Sequence, residues 1–445
     1  MTNRLLRYTV LLWAVGCGWM WAQQVRAPTP LAEARPALAA LANYLPDGLA
    51  GKTASQLEAA WPAWVARRDG EIRTRLSRAD EDAVVNLWLY GTSFTTVPRA
   101  TAVLDQRLDD FINGLATPGS NERLQQARDL VTQLGLDPTT SDRRTALRRR
   151  LIEMRNRVIA EFEEYDRTIA ANRRQDAGRG DASVYATIFS ARGLSSDTSL
   201  LPGFGVERAL AAAAAQLQIA PATIRDVAII GPGLDVISKA DGYDFYPMQT
   251  IQPFAVADSL IRLGLARPED LRLTTFDLSP RVNGHIDAAR RRARSGSSYT
   301  VQVPLNADEP WSADVWSYWR RFGSEVGVDK PAAPLPGEAG NVRIRAIDVH
   351  PALVASIEAI DLNVVVQRLE QRQFDLIVAT NVLLYYDVFE QALAMVNAAA
   401  MLRSGGLVLT NTAVLPLPPI RPQAGYLEVV YSPKQRDQFF WYRKE

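Results

Sequence analysis

The sequence predicts an α/β chain in two unlike halves: an all-helical part, then a part built on a mostly parallel sheet. Three observations carry this. Apolar residues recur at helical spacing up to about Asn172. From about Leu200, short apolar strands alternate with amphipathic helices, the pattern of a parallel sheet with crossover helices. Finally, the uncharged run Val227-Ala228-Ile229-Ile230 reads as a strand buried on both faces and stops at Gly231-Pro232-Gly233.

Composition sets bounds. A chain of 445 residues suggests about two or three domains, and 47% hydrophobic residues suffice for their cores. A net charge of +1 implies no nucleic-acid partner. With two histidines (His285 and His350) and one cysteine (Cys17), a Cys/His zinc cluster, a disulfide and a cysteine nucleophile in the body of the protein are excluded. At the start, Arg4 and Arg7 precede an unbroken apolar run, Val10 to Ala22, too short to span a bilayer comfortably. Residues 1–22 therefore read as a signal peptide cleaved after Ala22, or as an uncleaved membrane anchor. Ala14-Val15-Gly16-Cys17 resembles a lipoprotein box, with alanine at its first position. On either reading the body is expected outside the cytoplasmic membrane.

Residues 28–180 form the expected helical domain. Ser55-Gln56-Leu57-Glu58 reads as a capping box before a run containing Trp61 and Trp64. Asp80 is read as starting a second helix through Val84, Leu87 and Trp88, ended by Gly91. Pro98 opens a third, and Asn121 caps a fourth that ends near Gly135. Leu147, Leu151, Met154, Val158, Phe162, Tyr165 and Ile169 then form one apolar seam, suited to packing inside the domain or to helical self-association over 147–169. The arginines from Arg143 to Arg150 read as a solvated basic face, a phosphate patch being the alternative. Arg173 to Asp181 is the best linker.

In the second half, expected strands are Val227–Ile230, Leu271–Phe276, Val342–Ile347, Phe374–Thr380 and Leu407–Asn411, with a closing antiparallel pair at Tyr426–Tyr431 and Gln438–Tyr442. In open α/β sheets, ligands sit outside the carboxyl ends of the strands, so the polar residues there matter most. Gly231-Pro232-Gly233 lets backbone approach a ligand, or is simply a tight turn. Asp277, after the second strand, can accept the hydroxyls of a ribose or precede a helix opened by Ser279-Pro280. Asn381, after the fourth, can bind ligand or cap the next helix. Asp361-Leu362-Asn363 can read an adenine edge or form a turn.

Taken in order, these motifs resemble class I S-adenosylmethionine-dependent methyltransferases, and most closely the chemotaxis-receptor glutamate methyltransferases. Gly231-Pro232-Gly233 resembles the glycine motif. Thr275-Phe276-Asp277-Leu278 resembles that family's Ala-Thr-Asp-Ile motif, and Asp361-Leu362-Asn363-Val364 stands where the family has His-Asn-Leu. The run from Phe374-Asp375-Leu376-Ile377 to Asn381-Val382-Leu383-Leu384-Tyr385-Tyr386-Asp387, then Arg403-Ser404-Gly405-Gly406, completes the match. The resemblance spans about residues 200–445 and implies a Rossmann-like methyltransferase domain with a mostly parallel seven-stranded sheet. It implies S-adenosylmethionine as cofactor, bound by Gly231, Pro232, Gly233, Asp277, Leu278, Asn363, Val364 and Asn381, with Tyr385, Tyr386 and Tyr243 near a small-molecule or protein methyl acceptor. Methyl transfer needs no metal. No general base stands out.

The sequence departs from the pattern at Ile229, where an acid is usual, and at Leu234-Asp235, where a third glycine is usual. The loop from Asp235 to Pro253, with Tyr243, Asp244, Phe245 and Tyr246, suits either a ligand cover or a packed flap. Ala186 to Arg192 faintly echoes a segment preceding the family's catalytic domain, and no receptor-binding hairpin is recognisable. S-adenosylmethionine is made in the cytoplasm, which conflicts with export. Three expectations follow: an active methyltransferase on the cytoplasmic face, its apolar start an anchor or misread, transferring methyl to an oxygen or nitrogen nucleophile such as a carboxylate; an exported methyltransferase fold kept as a binding module; or an envelope scaffold acting through its helices.

Overall fold

The computed structural model describes residues 26–175, 193–194, 198–237, 242–337, 339–415, 417–418, 420–422 and 426–445. The apolar run 10–22, the segment 186–192 and most of the linker 173–181 lie outside the described residues. Among the described residues no helix is long and apolar enough to cross a membrane.

The chain begins with a short strand, β1 (Arg26–Pro28), and α1 (Leu31–Ala40). Next comes α2 (Ala54–Tyr90), 37 residues long, or about 55 Å at 1.5 Å per residue. Its capping box is Thr53 with Gln56: the Thr53 hydroxyl accepts from Gln56 N, and the Gln56 amide accepts from Thr53 N at 2.8 Å. The expected box at Ser55 and Glu58 therefore lies inside the helix. Helix α2 also runs through Pro62 and straight past Asp80, where the sequence predicted a new start. An aspartate caps only where the backbone leaves the helix; here the Asp80 carboxylate instead pairs with Arg281. Gly91 ends the helix as expected.

The bundle continues with α3 (Leu104–Ala116), α4 (Glu122–Gln133) and α5 (Ser141–Gln175). Asn121 caps α4, accepting from Arg123 N and Leu124 N. Leu147, Leu151, Met154 and Val158 are buried against Val84, Trp88, Leu108 and Phe111, so this part of the seam is satisfied inside the chain. The side chains of Phe162, Tyr165 and Ile169 lie outside the described set.

From α6 (Leu200–Leu217) the α/β half unfolds as β2 (Asp226–Ile230), α7 (Gln252–Arg262), β3 (Arg272–Phe276), α8 (Pro280–Arg294), β4 (Tyr299–Asn306), α9 (Ala313–Arg321), β5 (Gly327–Lys330), β6 (Val342–Val349) and α10 (Pro351–Ser356). It closes with β7 (Glu358–Ile360), β8 (Gln367–Leu369), β9 (Phe374–Ala379), α11 (Val388–Met401), β10 (Leu402–Thr410), β11 (Ile420–Pro422), β12 (Leu427–Ser432) and β13 (Gln435–Lys444). The main sheet has the order β11-β13-β10-β9-β2-β3-β7, with β12 also paired to β13. Strands β7, β3, β2, β9 and β10 are parallel neighbours, and β13 runs antiparallel to β10, β11 and β12. The sheet is thus mixed, five parallel strands closed by antiparallel ones, with eight strands where seven were expected.

One expected strand goes elsewhere. Residues 342–349 pair antiparallel with β4 and β5 in a separate three-stranded sheet, and β7 takes the edge of the main sheet. Arg343 and Arg345 alternate with apolar residues there. That pattern suits a half-exposed antiparallel strand, whereas a central parallel strand is apolar on both faces.

Both faces of β2 are covered, as its sequence requires. Val227 and Ile229 face a core shared with α6, α7 and the smaller sheet. Ala228 and Ile230 face a core shared with α11, with α1 and with Trp61, Trp64, Val65 and Ile72 of α2. The first part of the helical half therefore supplies one layer of the α/β sandwich. Strand β1 ties in the same way, pairing antiparallel with β8.

Candidate ligand cavity at the carboxyl end of the sheet

The chain runs β2, β3, β7 in one direction across the sheet and β9, β10 in the other, so the topological switch lies between β2 and β9. Strand β2 ends in Gly231 and Gly233, with φ of 66° and 70°. A Cβ on Gly231 would lie 2.6 Å from Val382 Cγ2, so this turn needs glycine on both steric and conformational grounds.

At the end of β3, the Asp277 carboxylate accepts from Ser279 N at 2.8 Å and from the Gly233 and Leu278 amides. Burial raises its pKa to about 7, against the pull of those amides. Some of its surface still faces the cavity.

After β9, Asn381 has a left-handed φ of 58°, uncommon for a residue with a side chain. A short network fixes its amide. The Asp437 carboxylate, which can only accept while ionised, takes a hydrogen from Asn411 Nδ2 at 3.0 Å. Asn411 Nδ2 also donates to Asn381 Oδ1 at 2.6 Å, and Asn411 Oδ1 accepts from Asn381 N at 2.8 Å. The oxygen of Asn381 is therefore engaged on the sheet side, leaving its amide hydrogens to donate.

These strand ends enclose a cavity of about 60 Å3. Of the residues singled out in the sequence, Gly231, Asp277, Leu278, Val364, Asn381, Tyr385 and Tyr386 line it. Pro232 and Gly233 are not among the lining residues; the Gly233 amide donates to Asp277 and the Pro232 carbonyl accepts from the Thr250 hydroxyl. Burial pushes the Tyr386 hydroxyl well above its ordinary pKa.

Two residues are placed elsewhere. Tyr243 is buried against Phe245, in a cluster with Tyr246 and Val342. Its loop is a packed flap: Tyr246 Oη donates to Asp235 at 2.8 Å, Arg123 of α4 donates to the carbonyls of Val236 and Tyr246, and Asp244 accepts from the amides and hydroxyls of Thr92 and Ser93. Asn363 is fully buried, and its Nδ2 donates to Asp69 of α2 at 2.8 Å.

What sequence reasoning missed is α2 itself, which crosses the mouth of the cavity. Leu76 lines it, together with Leu194. Arg73 donates twice to Asp361 (2.8 and 3.1 Å) and Arg75 donates to the carbonyl of Tyr385 at 2.8 Å. The signal was present: Ile72, Leu76 and Ala79 recur at four and three within a charged stretch, the spacing of a helix face that packs on something. Among the described residues, no cluster of three or more His, Cys, Asp or Glu side chains could hold a metal ion.

No family model matches this chain, and no curated protein matches it. Solved methyltransferase structures are similar to it. The N-methyltransferase NodS from Bradyrhizobium japonicum WM9, in complex with S-adenosyl-L-homocysteine, is 14% identical with a TM-score of 0.28, the match covering 60% of this chain and 99% of that one. Magnesium protoporphyrin IX methyltransferase from Synechocystis PCC 6803, with bound SAM, is 10% identical with a TM-score of 0.28, covering 61% of this chain and all of that one. At such identities and scores these similarities carry nothing about this chain's ligand or reaction.

Proposed function

We propose that this protein is an S-adenosylmethionine-dependent methyltransferase acting on an oxygen or nitrogen nucleophile of an as yet unassigned small molecule or protein. The observation that carries this reading is convergence. Four segments far apart in sequence, ending in Gly231, Asp277, Val364 and Asn381, line one cavity at the switch point of the sheet. In the proposed assignment Asp277 takes the ribose hydroxyls, Leu278 and Val364 flank the base, and the Gly231–Gly233 turn admits the amino-acid portion. Tyr385 and Tyr386 face the acceptor. The cofactor's sulfonium would supply an activated methyl group, leaving the protein to orient the reactants and exclude water.

As it stands, the cavity does not fit the cofactor. Sites for molecules of that size measure about 300–1,000 Å3, against about 60 Å3 here. This favours a second reading, a methyltransferase fold kept as a scaffold with its hollow filled by protein. Photo-crosslinking of methyl-tritiated S-adenosylmethionine to the full chain separates the two. The first reading expects labelling that S-adenosylhomocysteine competes away and that Asp277→Asn reduces about tenfold, as for a lost hydrogen bond to a charged group. Labelling indifferent to both would remove the cavity from consideration.

A further inference from the structure

The misfit between cavity and cofactor has an identifiable cause. The stretch Asp69–Asp80 of α2 lies across the strand ends, and it engages the very loop proposed to hold the adenine. Asp69 takes the Asn363 amide, Arg73 takes both Asp361 oxygens, and Leu76 fills the hollow beneath. Gly193 and Leu194 ride on the same helix: a Cβ on Gly193 would lie 2.7 Å from Ala79 N, and Leu194 N bonds to Arg75 O.

The manner of attachment changes along α2. Up to Ile72 the helix is locked by buried apolar residues. Over residues 73–80 only Ala79 is buried; Leu76 packs half-buried against the same core, and the other contacts to the sheet half are ion pairs and hydrogen bonds. Beyond that, the bundle meets the sheet half through Arg123 and Asp244 on polar contacts, with Ala83 and Ile237 adding apolar ones. Gly70 stands two residues before the changeover, where a Cβ would meet nothing within 4 Å; a glycine inside a helix weakens it locally.

We propose that the helical bundle is a gate on this cavity, acting in cis: α2 bends just beyond Ile72, and its Arg73–Asp80 stretch competes with the adenosyl group for Asp361 and the space held by Leu76. The inference rests on the adenosyl reading of the cavity and names how that site is regulated. A ligand that binds only the open state has its apparent affinity reduced by the open fraction. Loosening the gate must therefore tighten binding, opposite to what mutation near a site usually does. Polar closure adds a second signature, because added salt weakens ion pairs while S-adenosylhomocysteine carries little net charge.

The test is calorimetric titration of S-adenosylhomocysteine into the full chain, into Leu76→Ala and into Asp69→Asn/Arg73→Gln, with hydrogen exchange followed over residues 69–80. The expected result is faster exchange in both variants, affinity about tenfold tighter than in the wild type, and accelerated exchange of this stretch in the wild type when ligand is added. Equal affinity in all three proteins, with exchange faster only in the variants, would overturn the gate and leave the adenosyl reading standing. Faster exchange with no binding to any form would overturn the adenosyl reading, and the gate with it. Unchanged exchange in the variants would overturn the gate as well, by showing that these contacts do not hold the helix.

Discussion

Helix α2 is fastened to the sheet half in two ways. Between Trp61 and Ile72 it is part of the core. Trp61 stacks on Trp64 with centroids 5.2 Å apart, Trp64 meets Phe389 edge-on at 5.7 Å, and the Trp61 indole donates to the Thr29 carbonyl. Between Arg73 and Asp80, by contrast, it is held, apart from the half-buried Leu76, by charges that remain partly in water. Apolar burial is roughly proportional to area and cannot be released piecemeal, while half-exposed ion pairs contribute little each and can exchange partners. The lesson is that one helix can be structural at one end and releasable a few turns further on, and that the releasable part is the one over the cavity.

The largest expected effect breaks the permanent end. Trp64→Ala should cost about 3–5 kcal/mol of stability in denaturant unfolding. Leu76→Ala, at a partly open position, should cost about 1 kcal/mol; equal costs would erase the distinction between the two stretches.

The next effect concerns pH. A carboxyl that titrates near 7 when folded and near 3.8 when unfolded keeps an extra proton in the native state between those values. Its contribution is therefore present at low pH and lost as pH rises from about 4 to 7. Asp277→Asn should be free of this loss, so its stability relative to wild type should improve by ~1–3 kcal/mol across that interval and then level off. A flat difference in urea titrations at pH 4.5, 6 and 8 would mean that the carboxyl is already hydrated in solution, as in an open cavity.

Smaller still is Arg73→Gln, expected to cost under about 1 kcal/mol, with the deficit shrinking in high salt. The smallest is Asn381→Gly. Relief of the left-handed backbone and loss of the Asn411 pair should nearly cancel, leaving stability within about 1 kcal/mol, while ligand affinity falls because the fixed donor is gone.

Much of the sheet was legible because buried parallel strands leave few alternatives: Val227–Ile230, Leu271–Phe276 and Phe374–Thr380 are buried along nearly their whole length and end in turn residues. The strand at 342–349 was read correctly as a strand but assigned to the wrong sheet, since alternation with arginines shows exposure and not partnership. In the cavity, Gly231, Asp277 and Asn381 were visible because each sits at a strand end. The gating stretch was not, since a charged helical run looks the same whether it faces water or bridges to Asp361. Splitting α2 at Asp80 hid it further, by making one long lever look like two short helices.

The most direct measurement is the equilibrium binding of S-adenosylhomocysteine to Leu76→Ala, compared with Leu76→Ala/Asp277→Asn. A gated adenosyl cavity requires saturable one-to-one binding by the first, weakened about tenfold or more in the second. Absence of binding by a folded Leu76→Ala protein would contradict it.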